Sequence, residues 1–270
     1  MEKAKHERNY VLKIATIIYL VWFSIGYILI IFDWLPPFLE WANAAYLFIA
    51  GTLATIWLSA RVGVRAAIIL FSGTSFISFF AEWFGVKTGW WFGEYEYGSA
   101  FAPYLFGVPL AIPFAWVTVL TMSAAFTPFW RKSRVGFAAV AAFLAVSFDF
   151  MLDPVSVAQT YWIWINPGAF SLYDVPWTNF VSWWVTAFII YLSLGHWWLK
   201  SVDQIEKLLF WTSPPWLLTV TLLLLFATLA IQLELYLAAL FSLPIWISAM
   251  IIRYFQGRQL RDRGEQETLV

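Results

Sequence analysis

Three acidic residues, Glu82, Asp149 and Asp153, lie in or at the edge of strongly apolar segments. A carboxyl group inside a membrane-spanning segment is costly and usually functional. Burial favours its neutral form, and a neutral carboxylic acid in an apolar cavity can protonate a hydrocarbon double bond. We therefore predict Glu82 and Asp149 as an acid–base pair, with Asp153 as a third candidate that Pro154 places at a helix end. The alternative is that these acids cap loops or bind backbone at the membrane interface.

Other polar and aromatic side chains accompany these acids. Asn179 follows Pro176 by one helical turn, where it could bind a water molecule or hydrogen-bond a neighbouring helix. Lys87 could pair with Glu82 or with another loop acid, and Glu94, Glu96 and Asp174 are interpreted as solvated. Aromatic rings can stabilise a cation or form an interfacial belt. The aromatic candidates for substrate binding, besides Asn179 and Lys87, are Trp83, Tyr95, Tyr97, Trp162, Trp164 and Tyr173.

Composition indicates the class of protein that must position these residues. Of the 270 residues, 62% are hydrophobic and 12% are charged, whereas a soluble domain carries about 25% charged residues. The chain has 19 Trp, more than interfacial belts need, which favours an aromatic cavity. It has no cysteine and two histidines, so disulfides and thiolate catalysis are excluded and a multi-histidine metal site is not expected. We find no nucleotide-binding loop or hydrolase triad, and predict no metal, no cofactor and no nucleic-acid partner.

Apolar segments of about 20 residues predict membrane-spanning helices. We expect an all-α polytopic transmembrane bundle of about eight helices, forming one integral membrane domain over residues 1–270 with tails at 1–10 and 256–270. The predicted spans are 11–32, 42–60, 64–83, 108–129, 135–152, 177–199, 213–231 and 235–254.

The basic residues orient these spans. With eight helices, 15 of the 16 Lys and Arg residues lie on one side, and Lys87 alone lies opposite. Basic residues favour the cytoplasmic side, so both termini are predicted to be cytoplasmic and the protein to be a multi-pass protein of the cell membrane. The opposite side holds two long loops, about 84–107 and 153–176, whose aromatic composition favours re-entrant segments or lids.

A shift of 67 positions aligns two parts of the chain without a gap. Glu82 then falls on Asp149, Val108-Pro109 on Val175-Pro176, and Trp116 on Trp183. We predict a parallel repeat of two helical hairpins, residues 61–127 and 128–194, with a pseudo-axis along the membrane normal. Such repeats often place a binding site at their interface, which would bring Glu82 and Asp149 together. Chance agreement within a shared composition is the alternative.

Several motifs resemble the carotenoid biosynthesis membrane-protein family. They are EWFGVKTG at 82–89, FGEYEY at 92–97, FGVP at 106–109, DFMLDPV at 149–155, YWIW at 161–164, and Val175-Pro176 with Asn179-Phe180. The resemblance covers about residues 40–255. The family includes carotenoid 1,2-hydratases that act on γ-carotene or bisanhydrobacterioruberin. Heterodimeric-type lycopene cyclases are a more distant resemblance, and their Pro-x-Glu motif is not seen in this chain.

The resemblance implies addition of water across the terminal C1=C2 double bond of an acyclic carotenoid, without a cofactor. An acid would protonate C2, aromatic faces would flank a cation at C1, and a water held by a second carboxylate or Asn179 would attack C1. A cyclase-like isomerase and a lipid-binding or transport protein remain alternatives, the latter favoured by the repeat. The implied partners are membrane lipid and the carotenoid. Association with other enzymes of the pathway or with further copies of this chain stays open.

Overall fold

The structure is a computed structural model that describes residues 2–127, 133–202 and 213–267. The predicted basic-loop residues Arg131, Lys132 and Lys207 lie outside this part. The helices within it are α1 (Glu2–Ile31), α2 (Trp41–Val62), α3 (Val64–Thr88), α4 (Ile112–Phe126), α5 (Arg134–Ala158), α6 (Trp177–Ser193), α7 (Gly195–Val202), α8 (Pro214–Gln232) and α9 (Tyr236–Glu267). Helices α1 and α9 extend into the segments predicted as tails.

The chain is a multi-pass helical membrane protein. Among the described residues, six helices are long and apolar enough to cross a membrane, namely α1, α2, α3, α5, α8 and α9. Helices α6 and α7 meet the same criterion together, although they are bent by 84° at Leu194. Helix α4 is apolar but has only 15 residues. The predicted span 108–129 was therefore too long, because Val108 and Pro109 belong to a strand.

Two predicted helix ends were also placed too early. Helix α3 continues to Thr88 and α5 continues to Ala158, so Glu82 and Asp153 lie within helices rather than at their ends. Pro154 lies inside α5. A proline removes one backbone N–H donor but does not have to end a helix whose other residues are packed.

Glycine and serine mark helix boundaries where local rules predict them. Gly89 ends α3 in the left-handed conformation (φ 64°), which a residue without a Cβ adopts at little cost. Ser133 caps α5, and its side chain accepts a hydrogen bond from the N–H of Gly136. Pro214 and Pro215 begin α8, where their missing N–H groups cost no helical hydrogen bond.

The two long loops pair with each other. In the described part of the chain there are six short strands, namely β1 (Tyr95–Tyr97), β2 (Tyr104–Leu105), β3 (Val108–Pro109), β4 (Trp162–Trp164), β5 (Ser171–Leu172) and β6 (Val175–Pro176). Strand β1 is antiparallel to β4, with Tyr95 opposite Trp164 and Tyr97 opposite Trp162. Strands β2 and β3 form one hairpin, and β5 and β6 form another. The loops are thus tied together at one end of the bundle.

Several backbone features recur 67 residues apart, which is the shift that aligns the two parts of the sequence. The bounds of β2 and β3, shifted by 67, coincide with those of β5 and β6. The left-handed residues Phe106 and Gly107 correspond in the same way to Tyr173 and Asp174. Each pair forms the turn between two short strands, so both loops reverse direction with the same backbone conformation.

Among the six long apolar helices, α5 is the most deeply packed, while α1 lies at the edge of the bundle. In the most apolar window of each helix, 61% of the residues are buried in α5 and 11% in α1. Helix α1 runs in the same direction as α8, because Tyr19 hydrogen-bonds Thr221 and Tyr27 hydrogen-bonds Thr228. The bundle therefore leaves one face of α1 for lipid.

Candidate active site

Glu82 is buried in α3 and accepts three hydrogen bonds. Tyr95 Oη and Tyr97 Oη donate to its Oε2 over 2.6 and 2.9 Å, and Trp116 Nε1 donates to its Oε1 over 3.0 Å. The strand β1 and the helix α4 supply these donors. A carboxylate that accepts several hydrogen bonds from neutral donors is stabilised in its ionised form.

The two tyrosines remain protonated hydrogen-bond donors. Both lie in the loop outside the membrane-spanning segments. Burial, followed by the nearby charge of Glu82, raises the pKa of Tyr95 and of Tyr97 well above the ordinary range of a phenol. A charge on Asp153 would raise the pKa of Tyr97 further.

A second acidic group is formed by two aspartates of α5 and an asparagine in the first turn of α6. Asp149 and Asp153 are four residues apart and so share one face of α5. Asn179 Nδ2 donates to Asp149 Oδ2 over 3.1 Å and also to Asp153 Oδ2. The two carboxyl groups lie within hydrogen-bonding reach of each other, and the Trp162 side chain lies within reach of Asp153. Asp149 Oδ1 is buried and has no N–H or hydroxyl partner.

One cavity of about 150 Å³ connects the two acidic groups. Glu82 and Asp153 both line it, whereas Asp149 lies behind Asp153 and is fully buried. Trp116 and Trp183 form one wall as a stacked pair, with ring centroids 4.0 Å apart and an interplanar angle of 14°. Most of the remaining lining is apolar and comes from α1, α2, α4 and α8.

Five of the predicted binding residues line this cavity. They are Tyr95, Tyr97, Trp162, Trp164 and Asn179. The two paired strands carry the first four, and the indole N–H of Trp164 donates to the carbonyl oxygen of Phe92 over 3.0 Å.

The other three predicted binding residues lie outside the cavity lining. Trp83 directly follows Glu82, and a helix turns by about 100° per residue, so its ring contacts Phe80 instead. Lys87 is exposed in the last turn of α3, and Glu82 takes its hydrogen bonds from Tyr95, Tyr97 and Trp116 rather than from Lys87. Tyr173 accepts a hydrogen bond from the N–H of Leu237 at the start of α9.

Several cavity residues were not predicted from the sequence. Trp116 and Trp183 aligned at the 67-residue spacing, which was a usable signal for a shared position, but they were not proposed as site residues. The contributions of α1 and α8 had no such signal, because a helix that is apolar on all sides does not reveal which face lines a cavity. Within residues 2–127, 133–202 and 213–267, no group of three or more His, Cys, Asp or Glu residues is arranged to hold a metal ion.

Comparisons with known proteins agree with the sequence resemblance. The profile of the family described as carotenoid biosynthesis protein matches residues 42–253. A bisanhydrobacterioruberin hydratase from Haloarcula japonica is 31% identical over 124 residues, which is 44% of this chain and 41% of the relative. The similarity therefore spans less than half of that relative. No solved structure matches the chain.

Proposed function

This chain belongs to the carotenoid biosynthesis protein family, and we propose that it is a carotenoid hydratase of the cell membrane. It adds water across the terminal C1=C2 double bond of an acyclic end group. The observation that carries this proposal is one aromatic-walled cavity that meets two acidic groups with different surroundings. The hydratase named among its relatives supports the same type of reaction.

We assign the proton donor to the Asp149–Asp153 pair. The two carboxyl groups lie within hydrogen-bonding reach of each other, and a single proton shared between them would join them. Two adjacent carboxyl groups cannot readily both ionise, which favours one shared proton. Because Asp153 lines the cavity, it delivers this proton to C2 of the alkene. Asp149, which was predicted to act directly with Glu82, then supports Asp153 from behind.

Glu82 acts as the base in this proposal. The π electrons of the C1=C2 bond form the new C2–H bond, which leaves a tertiary cation at C1. A water oxygen attacks C1, and Glu82 takes the proton that this water loses. Glu82 returns that proton to Asp153 before the next turnover, through the cavity that both residues line. Substrate and water are thereby converted into a tertiary alcohol, and the protein is restored.

The cavity wall suits the cation and controls water. Trp116, Trp162 and Trp183 line the cavity, and indole rings stabilise a cation by cation–π interaction. Asn43 and Tyr161 are polar residues of the cavity lining and lie near the outer loops. Water would reach C1 from this side, while the aromatic walls limit other water.

We further propose that the two hairpins are an internal repeat. The equal spacing of β2–β3 and β5–β6 and the matched left-handed turns support it. The two units differ where the chemistry differs, since Asp153 and Asn179 correspond to Val86 and Ile112 at the 67-residue spacing. One unit thus carries the aspartate pair with its amide, and the other carries Glu82 alone.

Product masses from a host that makes acyclic carotenoids would test the function. We expect the wild-type chain to add the mass of one water for each reacted end, and Asp153→Asn to abolish this product. Asp174→Asn is a matched control, because Asp174 is an exposed turn residue in the left-handed conformation, which asparagine also adopts. A cyclised product of unchanged mass, or recovery of unchanged carotenoid from wild-type cells, would contradict the proposal.

A further inference from the structure

The geometry points to a lateral portal beside Gly26 of α1, through which the substrate chain beyond the reacting end group extends into the lipid. The identity of this chain, a linear isoprenoid, rests on the proposed function. The portal itself rests on the shape of the cavity and on the residues that close it toward the membrane.

The cavity is too small for a whole carotenoid. Its volume is about 150 Å³, and a cavity of about that size holds a benzene-sized molecule. An extended C40 polyene is about as long as the apolar layer of a bilayer is thick, roughly 30 Å. Only an end group fits beside the acids, so the remaining chain must leave the cavity.

The cavity reaches the edge of the bundle at α1. Trp22, Gly26 and Ile30 of α1 line it, and all three are partly exposed. A Cβ atom built on Gly26 would meet no atom within 4 Å. Because the outer face of α1 is left to lipid, an opening beside Gly26 leads from the acids into the membrane.

The side of α1 that faces α8 is closed by aromatic and polar contacts, because Phe23 is buried and stacks on both Tyr19 and Tyr27. Tyr19 Oη lies 2.6 Å from Thr221 Oγ1, and Tyr27 Oη lies 3.1 Å from Thr228 Oγ1. The cavity-lining side chains of α8 are all hydrocarbon, namely Leu222, Leu225, Phe226 and Leu229. The portal therefore offers an apolar passage of the kind that a polyene requires, and little that would recognise a polar headgroup.

A laterally extended substrate has a consequence for specificity. The acids contact one end group, while the other end lies in the lipid. A symmetrical carotenoid would therefore react at its two ends in separate binding events, and the chemical nature of the far end would have little effect.

The absence of native cysteine makes position 26 accessible to a specific test. Gly26→Cys and Ile25→Cys would each be placed in an Asp153→Asn background, so that carotenoid binds without reacting. Ile25 is the matched control, because it is 57% exposed and lies outside the cavity lining. Membranes containing either variant would be treated with benzyl methanethiosulfonate, which attaches a benzylthio group to the cysteine, and then with dithiothreitol, which removes it.

We expect the benzylthio group at position 26 to lower bound carotenoid about tenfold, which corresponds to roughly 1.4 kcal/mol of binding free energy. Dithiothreitol should restore binding, which shows that the fold was intact, and the position-25 variant should change little. Unchanged binding after complete modification at position 26, or an equal loss at position 25, would overturn the portal. If the benzylthio group at position 26 released bound phospholipid and left bound carotenoid unchanged, the proposed occupant of the portal would be wrong.

Benzylthio modification of Gly26→Cys in a chain that keeps Asp153 distinguishes failure of the portal from failure of the proposed function. Modified Gly26→Cys should lose hydration of a C40 substrate but keep hydration of a ten-carbon acyclic alkene with the same end group. If wild type binds carotenoid without adding water, the proposed function fails while the binding test still decides the portal. If hydration proceeds unchanged with position 26 modified, the portal alone fails.

Discussion

The different surroundings of the acids are the basis of the proposed division of roles. Glu82 is surrounded by O–H and N–H donors, whereas Asp149 and Asp153 share one amide donor and contact each other. Donors stabilise a carboxylate, while a second carboxyl group favours retention of a proton. Two chemically similar groups can thus act as base and acid in one cavity.

Replacing Glu82 by glutamine should lower hydration by about a hundredfold or more, the usual contribution of a general base. The amide cannot accept the proton from water, and its NH₂ group would oppose the donors of Tyr95, Tyr97 or Trp116. Product formed per amount of membrane protein is the appropriate measurement. Glu96→Gln is the control, because Glu96 is an exposed residue of β1. Wild-type yield from Glu82→Gln would remove Glu82 from the mechanism.

Replacing Asn179 by leucine should cost stability as well as activity. Two buried carboxyl groups would lose their shared donor, and each unsatisfied buried group costs about 1–3 kcal/mol. Thermal denaturation in detergent, together with product yield, would measure both effects. Thr178→Ala alters the exposed neighbour in the same helical turn and should change neither. A melting temperature equal to that of wild type would contradict the role given to Asn179.

At the scale of elements, the paired strands β1 and β4 position the site. They place Tyr95 and Tyr97 from one loop beside Trp164 and Trp162 from the other. The bundle brings α3 and α5 near the same cavity, and the loops complete its polar surface. Loops that are tied to each other in this way can hold donors at fixed distances.

The close contact of α2 with α4 provides a test of the helix packing. A Cβ atom on Gly51 would lie 2.7 Å from the carbonyl oxygen of Phe114, whereas one on Gly26 would meet no atom within 4 Å. Gly51→Ala should therefore destabilise the protein by about 1–3 kcal/mol through overpacking. Gly26→Ala, the same substitution in another spanning helix, should be tolerated. Equal denaturation temperatures for the two variants would contradict the close approach of α2 and α4.

The sequence predicted most of the helices, but it said less about which face of each helix lines the cavity. Apolar segment length predicted most spans, and the spacing of Glu82 and Asp149 pointed to a common site. Pro154 was misinterpreted as a helix end, because packing around α5 outweighs the loss of one hydrogen bond. Trp83 and Lys87 lie outside the cavity lining, because residues one and five positions after Glu82 point in other directions from the helix.

At the scale of the whole molecule, both termini are expected on the cytoplasmic side. The distribution of basic residues supports the cytoplasmic orientation. The parallel direction of α1 and α8, followed by the returning helix α9, supports the two termini being on the same side. A fluorescent protein that matures only in the cytoplasm should fluoresce when fused to either end. A periplasmic alkaline phosphatase fused to either end should be inactive. Fluorescence from one end with phosphatase activity from the other would contradict an even number of spans.

The origin of the product oxygen tests the proposed hydratase activity most directly. Membranes containing the wild-type chain would receive an acyclic carotenoid in water enriched in ¹⁸O, and the product would be analysed by mass spectrometry. The proposed hydration predicts a tertiary alcohol that carries one ¹⁸O atom at each reacted end, and no such product from Asp153→Asn. A carotenoid that keeps its original mass, or an alcohol whose oxygen is unlabelled, would contradict it.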